Sequence, residues 1–372
     1  MYTTLEIHDL LDEVCVALQL SDTEYGEATD RYTAVSKWLG ALGSPLAPFF
    51  PRIYPQGSAR LRTTVSPRGR VEHDVDLVCL LNVDPHTFSD PLVLYAMVEQ
   101  RLKEHGLYKG KVERFKRCLR INYANEFHLD ITPAIPDAAR GGTAILVPDR
   151  QIMNWKASNP IAYANWFDGR AKEVEERLLR KYAEPLPAQE EAMEKAPLRR
   201  AVQLLKRHRD MVFDGSDDSP RSIVLTTLAA QHYAGQEETG NALIGSMQGM
   251  IQQIQMTGAL HLKVPNPIHP EEDFSEAWVA NPEHYRVFVS FLRSFSERMQ
   301  RLARTTGGIP SVAKELNDLF GEEVTTRAVA AFADRVERTR QKGSLHTAPS
   351  LVRLSAVAAA APAIPRNTFY GL

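Results

Sequence analysis

The chain has 372 residues, too many for one small domain and enough for two lobes, and 44% of them are hydrophobic. Its 44 basic residues against 46 acidic ones leave a net charge of -2, which excludes the strong positive excess of a protein that coats long nucleic acid but leaves local basic patches open. The three cysteines, Cys15, Cys79 and Cys118, form no CxxC pair, which speaks against a disulfide framework or a structural zinc site and fits a reducing, cytoplasmic setting.

The first predicted element is a helix over residues 4–20, where Leu5, Leu10, Leu11, Val14 and Leu18 recur at helical spacing. Its opening run, MYTTLEIHDLLDEV, is acidic and amphipathic and does not read as a signal peptide. A second helix is expected over 22–41, after which Pro45, Pro48 and Pro51 break the chain. Residues 52–81 read as strand, turn and strand: RIYPQGSARLRTTV, the turn SPRGR, then VEHDVDLVCLL. A helix follows at 91–105, and 111–135 reads as two strands joined at Ala124-Asn125-Glu126. Residues 1–160 are therefore expected to be α plus β, with a mostly antiparallel or mixed sheet.

From there strand signals fade. Residues 160–182, 197–213, 220–235, 241–256 and 275–304 favour helix, separated by turns such as Asp214-Gly215-Ser216 and VPNPIHP at 264–270. The fold class predicted is α+β, with a C-terminal helical lobe over 161–345 and a tail over 346–372. That tail ends AVAAAAPAIPRNTFYGL, is low in complexity and reads as disordered. No apolar run reaches the ~18 residues of a membrane span.

Chemistry is concentrated around Asp74 and Asp76. Their neighbours Val75, Leu77, Val78, Cys79, Leu80 and Leu81 are apolar, so the pair sits at the start of a buried strand. Residues two apart in a strand share a face, so the two carboxylates stand side by side. Like charges at that distance repel, and burial makes the repulsion worse; a dication between them removes both costs. Hard oxygen ligands suit Mg²⁺, which also binds triphosphates. Gly57 and Ser58 lie upstream, Ser58 preceding Asp74 by 16 residues. A Gly-Ser turn lets backbone N–H groups and a hydroxyl approach phosphate oxygens, and Arg60, Arg62, Thr63 and Thr64 add phosphate-binding side chains. Downstream, Asp130 is an acid inside the otherwise apolar strand FHLDITPAI. A third carboxylate on a neighbouring strand completes a two-metal site, with ions about 4 Å apart that activate an attacking hydroxyl and neutralise leaving pyrophosphate. Each feature alone has a bland reading, as a solvated strand end, an ordinary turn or a paired structural acid; their order and spacing together favour the site.

The run QGSARLRTTVSPRGRVEHDVDLVCLL, followed by FHLDITPAI, resembles the nucleotidyltransferase core of the polymerase-β-like superfamily. More narrowly it resembles the CD-NTases of bacterial anti-phage defence, relatives of cyclic GMP-AMP synthase. Three later segments carry the narrower resemblance: LVPDRQIMNWKASNPIAYANWF at 146–167, RRAVQLLKRHRDMVF with RSIVLTTLAAQ, and VPNPIHPEEDFSEAW at 264–278. The last has His269 and Asp273 where asparagine is commoner in that family. The resemblance spans residues 1–330 and implies a bilobal enzyme with a nucleotide cleft between its lobes. It implies that Asp74, Asp76 and Asp130 hold two Mg²⁺ ions, with Mn²⁺ able to replace them, and that Asp130 helps to deprotonate the acceptor. Gly57, Ser58, Arg60 and Lys206 would bind the donor triphosphate, ATP being one substrate. The product implied is a cyclic di- or trinucleotide second messenger that acts on a downstream effector. Some members of the family are joined to targets through an activated C-terminus by a ubiquitin-like conjugating enzyme, a partner to which the tail could answer.

On the helix at 197–213, Leu198, Ala201, Val202, Leu205 and Val212 form one predicted face and Arg199, Gln203, Lys206, Arg207 and Asp210 the other. Arg200 and Arg207 read as solvated. Arg209 falls on the apolar side and calls for a buried anionic partner or a cleft. Trp155 and Trp166 read as core, while Ser158 and Asn159, at the expected hinge, are placed to read a base edge. Two rival readings share these residues: a terminal or linear oligonucleotide-forming transferase, which calls for an extended basic groove, and a catalytically silent nucleotide-binding scaffold.

Overall fold

The computed structural model describes residues 4–68, 73–88, 90–123, 127–171, 195–258, 261–305, 308–341, 345–348 and 351–354. Helix α1 (Thr4–Ala17) is followed by α2 (Asp22–Leu39). Ser21 starts α2 with a capping box: its hydroxyl accepts from Glu24 N, and the Glu24 carboxylate accepts from Ser21 N. Strand β1 (Arg52–Pro55) runs into a short helix α3 (Gly57–Leu61), and β2 (His73–Leu80) returns antiparallel to β1. Helix α4 (Pro91–Glu104) takes Asp90 as its N-cap, and β3 (Val112–Arg114), β4 (Leu119–Tyr123) and β5 (Phe127–Pro136) follow. β6 (Ile145–Asp149) and β7 (Asn154–Ser158) complete a seven-stranded mixed sheet. Its central order is β1-β2-β5-β4-β3, and β2 and β5 run parallel with Asp76 opposite Asp130.

Alternation along β2 separates core from chemistry. Val75, Leu77 and Cys79 point into a core with α2 and α4 that includes Val35, Leu39, Leu94, Val98, Ile121 and Ile131. Asp74 and Asp76 therefore face the opposite side.

Helices α5 (Pro160–Arg170), α6 (Pro197–Phe213), α7 (Ser222–His232) and α8 (Thr239–Thr257) build the second lobe. A hairpin of β8 (Pro265–Asn266) and β9 (His269–Asp273) precedes α9 (Ala277–Ala280), α10 (Pro282–Leu302), α11 (Gly308–Phe320) and α12 (Glu322–Gln341). Their shared core centres on α6, with Leu198, Ala201, Val202, Leu204 and Leu205 packed against Phe288, Phe295, Leu316 and Phe320. Helix α1 belongs to this core: Leu10, Leu11, Val14 and Leu18 pack here and not under the sheet. Apolar periodicity identifies a buried face but not the lobe that covers it.

Other expectations shift in the same way. Within the run 52–65, the expected strand gives way to α3 at the Gly-Ser turn, where Gly57 takes a positive φ of 58° that turns the chain out of β1. The helix expected over 160–182 is described as far as 171, and its remainder and the joint at 124–126 lie outside the described residues. VPNPIHP carries β8 and the start of β9 instead of a bare turn. Residues 345–348 and 351–354 pair as an antiparallel hairpin within the stretch read as tail. Residues 355–372, and with them the proposed site of C-terminal conjugation, lie outside the described residues. Cys15, Cys79 and Cys118 are free thiols. Among the described residues no helix is long and apolar enough to cross a membrane.

Candidate active site

The register of three strands assembles the acidic cluster. Asp76 on β2 lies opposite Asp130 on β5, and Asp130 lies opposite Arg120 on β4. Residues directly opposite share a face, so all three side chains meet on the side away from the α2–α4 core. Arg120 grips Asp130 with two parallel bonds, Nε to Oδ1 at 2.7 Å and Nη2 to Oδ2 at 2.8 Å, and its Nη2 stands 3.5 Å from Asp74 Oδ1. Such a fork fixes the plane and orientation of the Asp130 carboxylate. Arg120 was not singled out from the sequence. Its only signal is a polar residue in an alternating strand, and its importance depends on a register that no local pattern specifies.

At Asp76, burial, then the charges of Asp130 and Asp74, push the carboxyl up to about 7. A carboxylate held so close to like charges calls for a cation. The donors are hard oxygens, and Asp74 is 45% exposed and reachable from the cleft. Such donors would suit a divalent ion such as Mg²⁺, for which Asp74 and Asp76 are the candidate direct ligands, with Asp130 offering the lone pairs that Arg120 leaves free.

Gly57 and Ser58 begin α3 against this cluster. A Cβ on Gly57 would lie 2.1 Å from Asp76 Oδ2, so only glycine lets the turn approach the carboxylate. Gln56 N donates to Asp76 O at 2.8 Å and pins the turn to β2. The first N–H groups of a helix lack intrahelical acceptors and suit an anion. A cavity of about 250 Å³ opens here, lined by Gly57, Ser58, Asp74, Asp76, Lys206 and Arg209 among others.

Helix α6 supplies the cations. Lys206 is buried and donates from Nζ to Thr63 Oγ1 at 3.0 Å and to Thr63 O at 3.1 Å. Burial, then the Arg209 charge, brings its ammonium down to about 7. Arg209 pairs with Asp210 at 2.5 Å and donates to Ser222, so it occupies both the cleft and an ion pair, the two alternatives its position suggested. The other predicted faces of α6 are corrected. Arg200 is buried against Asp12 at 2.8 Å, and Arg207 is buried and donates to Phe320 O at 3.0 Å, so neither is a solvated residue. Val212, assigned to the apolar face, is 53% exposed. The helix is covered on nearly every side, and its charges survive burial because each finds an acceptor.

Arg60 has a different setting from the one expected. Its Nη2 binds Asp168 Oδ2 at 2.8 Å, and Asp168 Oδ1 accepts from Arg199 Nη2 at 2.9 Å. Asp168 on α5 thereby ties α3 to α6, and Arg60 joins the two lobes instead of presenting its charge to the phosphate cavity.

A second cavity, of about 210 Å³, meets the first at Gly57, Leu61, Asp76 and Ile223. Ser158 lines it, but its hydroxyl donates to Glu272 Oε1 at 2.9 Å. Asn159 is the N-cap of α5 and accepts from Ala162 N at 3.1 Å, which accounts for the SNP run in capping terms. Trp155 and Trp166 pack against the two cores as expected. Asp273 accepts from Ser275 N at 2.8 Å, a task that needs only an oxygen acceptor and so tolerates aspartate in place of asparagine. His269 is buried, and Trp278 stacks on Phe288 with centroids 5.0 Å apart.

Residues 5–170 match the model of the Second Messenger Oligonucleotide or Dinucleotide Synthetase domain. The chain is 33% identical to the c-di-GMP synthase of Roseivirga ehrenbergii, across 98% of this chain and 97% of that protein. It is 28% identical to the cyclic dinucleotide synthase CdnG of Bradyrhizobium diazoefficiens, across 90% and 86%. The solved structure of the Bradyrhizobium diazoefficiens CD-NTase CdnG in complex with GTP superposes with a TM-score of 0.71 at 26% identity, covering 88% of this chain and 99% of that one. The GTP-bound form of Vibrio cholerae DncV shares the fold, with a TM-score of 0.56 at 18% identity over 87% and 88%.

Proposed function

We infer that this chain, which belongs to the CD-NTase family of second-messenger oligonucleotide and dinucleotide synthetases and makes a cyclic nucleotide from nucleoside triphosphates, joins two GTP molecules into a cyclic dinucleotide. The family resemblance implied ATP as one substrate; this reading takes guanine at both positions. The names of the relatives, a c-di-GMP synthase and a CD-NTase solved with GTP, support that choice. The observation that carries the site assignment is the meeting of two cavities at Gly57 and Asp76. One cavity has cations and a helix start for a triphosphate; the other has no side-chain cation apart from the committed Arg60 and suits an acceptor.

In this reading Gly57 and Ser58 seat the donor phosphates, and Lys206 and Arg209 offset their charge. Asp74 and Asp76, with Asp130, hold Mg²⁺, which supplies Lewis-acid activation of the hydroxyl and charge neutralisation on pyrophosphate. Asp130, held in place by Arg120, orients the attacking hydroxyl through its remaining lone pairs and helps to take its proton. The hydroxyl oxygen bonds to the donor α-phosphorus as the bond to pyrophosphate breaks. A second passage of the linear intermediate through the same residues closes the ring. The two lobes proposed, 1–160 and 161–345, share α1 across the boundary, and the product acts on a downstream effector.

Incubation of the protein with nucleoside triphosphates and Mg²⁺, without RNA, tests this reading. Pyrophosphate and a cyclic guanine dinucleotide are expected. Pyrophosphate release that depends on added RNA would favour a terminal transferase instead.

A further inference from the structure

The second cavity holds a carboxylate that the transfer chemistry does not use. Glu272, on β9, is half-buried, and both of its oxygens are held: Oε1 accepts from Ser158 Oγ at 2.9 Å and Oε2 from Asn266 Nδ2 at 2.8 Å. Asn266 is 1% exposed, and Ser158 sits at the end of β7, so the two donors come from different strands and fix the carboxylate plane. Each carboxylate oxygen has a second lone-pair site. The same cavity is walled by Tyr163, Phe274 and Ile223 and reaches Asp76 at its other end. Tyr163 and Phe274 stand edge to face, 5.7 Å between centroids, and the Tyr163 hydroxyl is committed to Thr227 at 2.8 Å. The pocket thus offers apolar walls for a ring, a pair of parallel acceptors at one end, and the catalytic cluster at the other.

We propose that Glu272 reads the base seated in this cavity and selects guanine; the proposal rests on the transferase reading above. Guanine carries two adjacent donors, N1–H and N2–H, on its pairing edge. Adenine and cytosine present a donor beside an acceptor, and uracil a donor flanked by acceptors. A planar carboxylate matches two adjacent donors and sets a lone pair against a lone pair with the others. Ser158 then acts one step removed, as the residue that orients Glu272.

The test is equilibrium binding of GTP, inosine triphosphate and ATP to the full chain and to Glu272→Gln, with Mg²⁺ present. Inosine triphosphate lacks only the N2 amino group. The native protein binds GTP at least ~10-fold tighter than inosine triphosphate, the scale of one charge-assisted hydrogen bond. Glu272→Gln brings that ratio to within about twofold and leaves ATP binding in place. A native protein that binds GTP and inosine triphosphate equally overturns the proposal, and this result needs no variant to fold. A Glu272→Gln protein that keeps the full ratio overturns it as well. Binding of no nucleotide at all brings down the transferase reading together with this one, whereas loss of discrimination alone leaves that reading standing.

Discussion

Gly57 and Asp76 compete for one position: a methyl group on the first would stand 2.1 Å from Oδ2 of the second. The φ of Gly57, 58°, adds strain for any other residue, on the order of 1 kcal/mol. Gly57→Ala therefore displaces the carboxylate or unwinds the start of α3. Displacement on the scale of an ångström costs about a hundredfold in rate. Pyrophosphate release by Gly57→Ala is expected to fall by at least that factor, with the thermal midpoint little changed. Near-normal turnover would mean that the turn is not part of the site.

Arg120 and Asp130 form a partly buried fork, their side chains 20% and 10% exposed. Removing the cation alone leaves a carboxylate without its counter-charge, at a cost of about 3 kcal/mol. Arg120→Met is expected to lower the unfolding midpoint, and the double variant Arg120→Met/Asp130→Asn to recover much of that loss. Chemical denaturation of the four proteins measures the coupling between the two residues. Additive effects would show that the pair is not a unit.

This fork also marks what the sequence could convey. That Asp74, Asp76 and Asp130 are candidates was legible because an acid in an apolar strand is conspicuous, and Gly57-Ser58 because its spacing gave it context; the structure brings these residues to one cleft. Arg120 was not legible, since a cation on the polar side of a strand looks ordinary until the β4–β5 register is known. The pairing of Arg60 was hidden for the complementary reason: its acid partner Asp168 is distant in sequence and on a helix whose packing could not be read. Helices α5–α8 and α10 followed from helical stretches set between turn signals, and the large mixed sheet from its strand signals. The cover around α6 did not, because its four arginines and Lys206 imitate a solvated face while each pairs with a group outside the helix.

Ser58 and Lys206 line the phosphate cavity with unequal strength. A charge-assisted contact is worth about 1.5–3 kcal/mol against about 1 for a neutral one. Lys206→Ala should therefore weaken nucleotide use more than Ser58→Ala, by a factor of ten or more in kcat/KM against about fivefold. Steady-state titration with GTP separates them. Equal and negligible effects would move the triphosphate elsewhere.

His208 gives the fold an acid limit. It is 2% exposed, stacks on Phe295 with centroids 4.0 Å apart, and is within 3.0 Å of Leu319 O. Burial lowers its pKa from the ordinary 6.5 to about 4. Between those values the unfolded chain binds a proton that the folded chain refuses, so the contribution is full above 6.5 and is lost as pH falls toward 4. The loss between pH 7.5 and 5 is on the order of 2 kcal/mol. His208→Phe should flatten that part of the pH dependence of the thermal midpoint. An unchanged slope would place the acid sensitivity in other groups.

The most direct measurement is mass spectrometry of the products made from all four nucleoside triphosphates with Mg²⁺, by the native chain and by Asp74→Asn/Asp76→Asn. The account predicts pyrophosphate and a cyclic guanine dinucleotide from the native protein. It predicts neither from the variant, whose melting temperature stays equal or rises as the repulsion between the two carboxylates is removed. The same product from the variant at a comparable rate, or only linear chains from the native protein, would contradict it.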